Sequence, residues 1–268
     1  MTQLGTALIT GASSGMGAVY ADRLAKRGYE LVVIARNEPR LQVLADRLAG
    51  ETGAKVEVLK ADLTARSDVR RVEQRLRSDD SVTLLVNNAG MGTRQPVLSE
   101  DIDFLESIVE LNVVAAHRLA VAAAQVFAAW GRGGIINLSS IAALHPEHTT
   151  ATYTASKAFI LNLTQALHTE AGPKGVRLQA VLPGATRTEF FSRLGVSIDS
   201  RFPREMIMDA SDLVDAALAG FDQGELVTIP SLPDVQDWEK FVAARLALEP
   251  NLSHRKPAAR YRLTGAAH

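Results

Sequence analysis

The chain alternates short apolar runs with longer segments of helical period. The runs are rich in valine, isoleucine and leucine and show little alternation of apolar and polar residues, which is typical of strands covered on both faces. Seven such runs occur, at Ala7–Thr10, Leu31–Ala35, Val56–Leu59, Leu84–Val86, Ile135–Leu138, Val176–Leu182 and Leu226–Ile229. Helical patterns separate them, among others at Met16–Arg27, Pro39–Ala49, Asp68–Leu76 and Asp101–Trp130. The alternation predicts an α/β fold with one doubly wound parallel sheet of about seven strands and helices on both faces.

The regular pattern weakens after Ile229, which suggests a change in organisation there. The remaining segment contains four of the chain's prolines, one helical stretch near Asp237–Ala247 and a basic end. We therefore predict a single domain over residues 1–229. Residues 230–268 are predicted to form an extension that packs on this domain or on a partner subunit and can end in a mobile stretch.

Composition narrows the class of protein. The 268 residues are 47% hydrophobic and 22% charged with a net charge of −1, so no global field attracts nucleic acid or anionic lipid. There is no cysteine, which excludes disulfides and thiolate chemistry. The longest mostly apolar stretch, Leu119–Trp130, is too short for a bilayer of about 30 Å, and the first residues do not resemble a signal peptide. We expect a cytoplasmic protein without nucleic-acid or membrane partners.

A glycine-rich turn follows the first predicted strand. It reads Thr10-Gly11-Ala12-Ser13-Ser14-Gly15-Met16-Gly17 and runs into a helix beginning near Met16. Glycines let a pyrophosphate approach the backbone, and the helix N-terminus offers it free N–H groups. An ordinary glycine turn is the alternative.

Arg36 and Asn37 follow the second predicted strand, where a carboxylate would repel a 2′-phosphate. A guanidinium at this point can instead pair with that phosphate, which predicts a preference for NADP(H) over NAD(H). The alternative is that Arg36 is an ordinary solvated arginine.

Tyr153 and Lys157 are four residues apart in a helical segment, so they share one helix face. A phenol has a pKa of about 10, and a nearby ammonium lowers it toward the range of an acid–base catalyst. We therefore expect Lys157 to lower the pKa of Tyr153, although a helix pair of no catalytic consequence has the same spacing.

Six motifs occur in an order that carries a family resemblance. They are the Thr10–Gly17 turn, Asn87-Asn88-Ala89-Gly90, Asn112, Ser139-Ser140, Tyr153 with Lys157, and Pro183-Gly184. From Leu4 to about Ile229 the chain resembles the short-chain dehydrogenase/reductase family in its compact form of about 250 residues. The resemblance implies a Rossmann-like fold and an NAD(P)-dependent oxidoreductase that interconverts a ketone or aldehyde with an alcohol.

The resemblance also implies catalytic roles. Tyr153 is the general acid in reduction and the base in oxidation, and Lys157 also holds the nicotinamide ribose. Ser140, thirteen positions before the tyrosine, hydrogen-bonds the substrate oxygen. Asn112 holds a water that relays protons to Lys157. Independently of the family, Asn112 lies on the apolar stripe of Leu105, Ile108, Ala116 and Leu119, where an amide needs partners, so a purely structural asparagine is the alternative.

Cofactor contacts are implied for a larger set of residues. Asp62 and Leu63 match the adenine position, Thr188 matches the residue that bonds the nicotinamide carboxamide, and Asn87 is expected to tie neighbouring strands. The full set is Gly11, Ser13, Ser14, Gly15, Met16, Arg36, Asn37, Asp62, Leu63, Asn88, Ala89, Gly90, Tyr153, Lys157, Pro183, Gly184, Thr186 and Thr188.

Substrate contacts are expected from His145 and from the segment after Thr188, through Phe190, Phe191 and Met206. Such a lining suits an apolar or aromatic carbonyl compound.

His145-Pro146-Glu147-His148 lacks a full ligand set, so we predict no metal. By resemblance we expect a homodimer, with a tetramer as the alternative. The competing function is a catalytically silent dinucleotide-binding sensor or scaffold.

Overall fold

The computed structural model describes residues 4–261 and reproduces the predicted alternation of strands and helices. The strands are β1 Thr6–Thr10, β2 Glu30–Ala35, β3 Val56–Lys60, β4 Val82–Asn87, β5 Gly134–Leu138, β6 Arg177–Val181, β7 Thr186–Arg187, β8 Met208–Asp209 and β9 Val227–Thr228. The α-helices are α1 Gly15–Lys26, α2 Glu38–Thr52, α3 Arg66–Ser78, α4 Ile102–Val109, α5 Ala116–Trp130, α6 Ala151–Ala171, α7 Glu189–Arg193, α8 Ile198–Arg201, α9 Ala210–Gln223 and α10 Val235–Leu246.

Seven strands form one parallel sheet in the order β3-β2-β1-β4-β5-β6-β9. The predicted doubly wound parallel sheet is therefore confirmed. The chain begins at β1, moves outward to β2 and β3, and then returns to place β4 on the other side of β1. Loops that follow β1 and β4 thus meet at the point where the strand order reverses, which is where ligands bind in open α/β sheets.

Two apolar layers enclose the sheet, because successive side chains of a strand point to opposite faces. Ile9 of β1 packs in the layer formed with α1, α2 and α9. Leu8 packs in the opposite layer, formed with α3, α5 and α6. All five residues of β1 are buried, which explains why its sequence shows no polar alternation.

The long helical pattern predicted over Asp101–Trp130 is divided into α4 and α5 by a π-helical segment, Glu110–Ala115. One helical stretch in the described chain, Ile102–Trp130, is long and apolar enough to cross a membrane by length and composition. The longest apolar stretch predicted from the sequence, Leu119–Trp130, was therefore too short. Leu119 and Phe127 lie in the apolar layer beside the sheet. A helix of the protein core meets the same criterion of length and composition.

Asn87 connects β4 with the neighbouring strand β5 and with the start of α5. Its side-chain amide donates to the Ala116 carbonyl at 2.7 Å and to Asn137 Oδ1 on β5 at 3.2 Å. Asn137 in turn donates to Thr164 Oγ1 on α6 at 3.0 Å. All these groups are buried, and the expected role of Asn87 in tying neighbouring strands is confirmed.

The described chain divides into two compact units, Met1–Pro230 and Ser231–His268. The second unit contains α10, which begins two residues before the predicted stretch, and the rings of Trp238 and Phe241 stack there at 5.4 Å between centroids. The expected mobile end falls outside the described residues.

Replacing Asn87 with alanine is expected to lower the free energy of unfolding by roughly 2 to 3 kcal/mol, because buried acceptors on Ala116 and Asn137 lose their donor. Urea denaturation measures this change. Gln42→Ala, on the exposed face of α2, removes only a contact with Asp46 and should change stability by about 0.5 kcal/mol or less. Equal stability losses for the two variants would contradict the proposed role of the network.

Candidate active site

The glycine-rich turn is built so that two loops approach closely. Gly11 has φ +68°, and a Cβ at this position would lie 2.8 Å from Asn88 Nδ2 and 2.9 Å from Ala89 Cα. A Cβ on Gly17 would collide with the Gly11 carbonyl oxygen. Side chains at these positions would separate the turn from the loop after β4, so glycine is required at both.

Thr10 and Asn88 fasten these two loops together. Thr10 Oγ1 accepts from the backbone N–H groups of Asn88 and Ala89, each at 3.0 Å. Asn88 Nδ2 donates back to the Thr10 carbonyl at 2.8 Å. The side chain of Asn88, which the sequence assigned to the cofactor, is therefore engaged in joining loops. Thr10 was not among the predicted site residues, although its position at the end of the first predicted strand is visible in the sequence.

The start of α1 has the properties of an anion site. Ser14 is the N-cap but its side chain makes no capping hydrogen bond, so it leaves the first N–H groups of the helix uncapped. Gly15 at the first turn lies against Thr188, and Met16 packs partly into the core. Ser13, Ser14 and Gly15 also line a surface cleft of about 480 Å³ between α1 and α2.

Three arginines near the N-termini of α1 and α2 have different partners. Arg36 is exposed and, within the described residues, makes no side-chain hydrogen bond or salt bridge. Arg40 pairs with Glu189 at 2.7 Å, and Arg193 pairs with the same carboxylate at 2.9 Å and donates to Ser14 Oγ at 2.8 Å. Arg40 and Glu189 were not among the predicted site residues, although Arg40 lies four residues after Arg36.

Other predicted cofactor residues have local structural contacts. Asn37 Oδ1 caps α2 by accepting from the Arg40 N–H at 3.1 Å. Asp62 accepts from Thr64, through its N–H at 3.0 Å and its hydroxyl at 2.8 Å, whereas Leu63 is buried. Thr186 Oγ1 donates to the Gly184 carbonyl at 3.0 Å.

Tyr153, Lys157 and Ser140 come together where β5 and α6 meet. Lys157 is buried and its Nζ donates to the Leu138 carbonyl at 2.9 Å. The Lys157 carbonyl accepts from Ser139 Oγ at 2.7 Å. Ser139 is thus used to hold α6 against β5. Ser140, the serine that the family resemblance selects, acts through a side-chain hydrogen bond to lower the pKa of Tyr153. Its expected bond to a substrate oxygen stays a prediction.

The electrostatics of this group differ from the sequence expectation. Burial raises the pKa of Tyr153 above its usual value, and the hydrogen bond with Ser140 lowers it by less. Burial also lowers the pKa of Lys157 to about 8. The expected lowering of the Tyr153 pKa by Lys157 was wrong for the protein without a ligand. The loss of water around both side chains is the dominant effect, and Lys157 Nζ lies 5.9 Å from the centre of the phenol ring.

Asn112 lies at the π-helical segment and is almost fully buried. Its Oδ1 accepts from the Met91 N–H at 2.9 Å, and its Nδ2 donates to the Met91 carbonyl at 2.8 Å and to Ser156 Oγ at 3.1 Å. The expectation that this amide needs buried partners is confirmed. A Cβ on Gly90 would lie 3.2 Å from Lys157 Nζ and 3.3 Å from Asn112 Oδ1, so this glycine separates the two side chains. The relay water stays a prediction.

The expected substrate residues divide into two groups. The Phe190 ring faces the Tyr153 ring with centroids 5.9 Å apart, and Phe191 packs on Phe190 at 5.4 Å. Met206 is 60% exposed and His145 is also exposed. Among the side chains that the structure describes, those of residues 4–147 and 149–261, no group of three or more from His, Cys, Asp or Glu could hold a metal ion.

Comparison with known proteins identifies the family. The model of the short chain dehydrogenase family matches residues 5–197. The chain belongs to the short-chain dehydrogenase family. Among curated relatives of this family, an uncharacterized oxidoreductase of Staphylococcus saprophyticus is 30% identical over 83% of this chain and 93% of its own length.

Two solved structures are more similar to this chain. A short-chain dehydrogenase from Sphingobium yanoikuyae in complex with NADPH is 45% identical, with a TM-score of 0.93 over 96% of this chain and 100% of its own. The bulky-bulky ketone specific alcohol dehydrogenase from Comamonas testosteroni is also 45% identical, with a TM-score of 0.90 over 97% of this chain and 99% of its own. These comparisons bear out the predicted Rossmann-like fold and oxidoreductase class.

The pKa of Lys157 has a consequence for stability. In the unfolded chain this lysine keeps its usual pKa of 10.5, whereas in the folded protein the pKa is about 8. Between these values the unfolded chain binds the additional proton, so the contribution of Lys157 to folding stability increases with pH. Relative to Lys157→Met, the free energy of unfolding of the wild-type protein without ligand should increase by about 3 kcal/mol between pH 7 and pH 11.

Urea denaturation of the wild type and of Lys157→Met across this pH range measures the difference between their free energies of unfolding. The titration of the other groups affects both proteins equally and cancels in this difference. A stability difference that does not change with pH would show that the amine keeps its ordinary pKa in the folded protein.

Proposed function

We propose that this short-chain dehydrogenase is an NADP(H)-dependent enzyme that interconverts a bulky ketone with its alcohol, with Tyr153 as the general acid and base. The observation that carries the proposal is that Tyr153, Ser140 and the buried Lys157 come together: the side chain of Ser140 acts to lower the pKa of Tyr153, and Lys157 Nζ lies 5.9 Å from the centre of the phenol ring. We further expect the enzyme to be cytoplasmic and to act as a homodimer.

The residues of the cleft fit a dinucleotide. A Cβ at Gly11 or Gly17 would fill the turn, and the uncapped N-terminus of α1 offers N–H groups to a pyrophosphate. Arg36 has no anionic partner of its own among the described residues, so it can pair with a 2′-phosphate without breaking another contact. Thr188, which the resemblance assigns to the nicotinamide carboxamide, lies beside Gly15 of the glycine-rich turn and is the N-cap of α7.

When bound, the dinucleotide supplies or accepts a hydride at the substrate carbon. The protein's own residues position and protonate the substrate oxygen. Because burial keeps the pKa of Tyr153 above its usual value, its hydroxyl is protonated at neutral pH and can donate a proton to that oxygen. Ser140 supplies a second donor where negative charge develops. Lys157, with a pKa of about 8, can hold or release a proton near neutral pH beside Tyr153.

The substrate side of the site is aromatic. Phe190, Phe191 and Phe202 form a continuous series of ring contacts that begins at Tyr153, with centroid distances of 5.9, 5.4 and 5.6 Å. Such a wall favours apolar substituents over charged ones. Together with the similarity to a ketone-specific alcohol dehydrogenase, this lining supports a ketone with two large apolar substituents as the substrate class.

Tyr153→Phe is expected to lower kcat for ketone reduction about 10²- to 10⁴-fold, because the proton donor is lost while the ring packing stays. NADPH oxidation followed by absorbance measures the rate, and fluorescence titration should give an unchanged Kd for NADPH. Tyr29→Phe, a partly buried tyrosine outside the site, should retain the wild-type rate. A Tyr153→Phe variant as fast as the wild type would exclude the assigned role.

Arg36→Ala is expected to weaken NADPH binding about 10- to 100-fold, because a charge-assisted contact with the 2′-phosphate is lost. The Kd for NADH should change little, since NADH lacks that phosphate. Arg70→Ala on α3 removes another exposed arginine and should leave both constants unchanged. Equal or tighter binding of NADH by the wild-type protein would remove the proposed role of Arg36.

A further inference from the structure

Gly92 lies at a contact for which the site described above gives no reason. It is buried in the loop that follows β4, and a Cβ built on it would lie 2.7 Å from Phe190 Cζ and 3.3 Å from Leu194 Cδ1. The described backbone does not place Gly92 at a positive φ, so an alanine could adopt its conformation. The absence of a side chain at this position therefore serves the aromatic ring that occupies the space.

The Phe190 ring lies between Gly92 and the phenol of Tyr153. The backbone N–H of Phe190 donates to Thr188 Oγ1 at 3.2 Å, and this bond fixes the first turn of α7. One edge of the ring lies against Gly92, and its aromatic neighbours are Tyr153 at 5.9 Å and Phe191 at 5.4 Å. A ring displaced from Gly92 must press on these neighbours or lift α7. Each of these movements changes the space in front of the Tyr153 hydroxyl.

We propose that Gly92 and Phe190 form a specificity-determining pair that sets the size of the ketone substituent accepted beside Tyr153. Gly92 provides a recess that holds the Phe190 ring back from the reacting group, and this leaves room for a bulky aryl substituent. The inference rests on the proposed ketone reductase function. It identifies Gly92 and Phe190 as the side of the pocket that limits the size of the substituent. It makes Gly92 a residue that acts through Phe190, without touching the cofactor.

A double-mutant cycle tests the pair with a graded series of aryl ketones, from acetophenone to benzophenone. Gly92→Ala should lower kcat/KM for benzophenone at least about 10-fold, mainly through KM, and change that for acetophenone by less than about threefold. Adding Phe190→Ala removes the ring that the new methyl group displaces, so the double variant should recover benzophenone reduction. Phe190→Ala alone should raise the ratio of kcat/KM for benzophenone to that for acetophenone, because the ring that limits the space is removed.

Gly50→Ala is the matched control, because a Cβ on this glycine of α2 would meet no atom within 4 Å. It should leave the whole series unchanged. Thermal unfolding supplies a readout independent of turnover. Gly92→Ala should lower Tm when Phe190 is present and lower it less when position 190 is alanine, since the two changes share one contact.

The outcomes separate the two proposals. If the wild-type enzyme reduces no ketone of the series, the proposed function fails. In that case a smaller Tm loss from Gly92→Ala in the Phe190→Ala background still supports the Gly92–Phe190 contact. Additive Tm losses would overturn the contact. If the wild type is active, an equal loss for all ketones in Gly92→Ala overturns the specificity role. A double variant that does not recover benzophenone reduction would also overturn it.

Discussion

The placement of the buried Lys157 side chain determines the geometry of the whole site. An ammonium removed from water requires a hydrogen-bond acceptor, and the Leu138 carbonyl at the end of β5 provides one at 2.9 Å. A second hydrogen bond has its donor after the strand and its acceptor on the helix: Ser139 Oγ donates to the Lys157 carbonyl. These two bonds fix α6 against the end of the sheet, so that Tyr153 one turn earlier lies beside Ser140. The lowered pKa of Lys157 is the electrostatic cost of this arrangement.

The dinucleotide end depends on a different constraint, the close approach of two backbone loops. Gly11 and Gly17 allow the approach, and the hydrogen bonds between Thr10 and Asn88 maintain it. Since both loops follow strands on either side of the reversal in strand order, the sheet topology brings them together without further packing. Rigid loops at this position leave the N–H groups of α1 in a fixed orientation.

Helix α7 contacts both ends of the site. Thr188 contacts Gly15 of the glycine-rich turn, whereas Phe190 contacts Gly92 and Tyr153 on the substrate side. On the outer surface Glu189 joins Arg40 of α2 and Arg193 of α7. Exposed ion pairs of this kind contribute little to stability, so the glycine contacts are the stronger determinants of where α7 lies.

The sequence by itself determined the sheet class and the order of the motifs, because strand periodicity and helix spacing are local properties. Tyr153, Lys157 and Ser140 were identified from spacing and resemblance alone. Only the tertiary structure decided the direction of the pKa shifts, since desolvation depends on neighbours that are distant in sequence. It also decided that Asn88 joins two loops, that a π-helical segment surrounds Asn112 and that Gly92 receives Phe190. Each of these depends on contacts between separate elements, which no local pattern in the chain encodes.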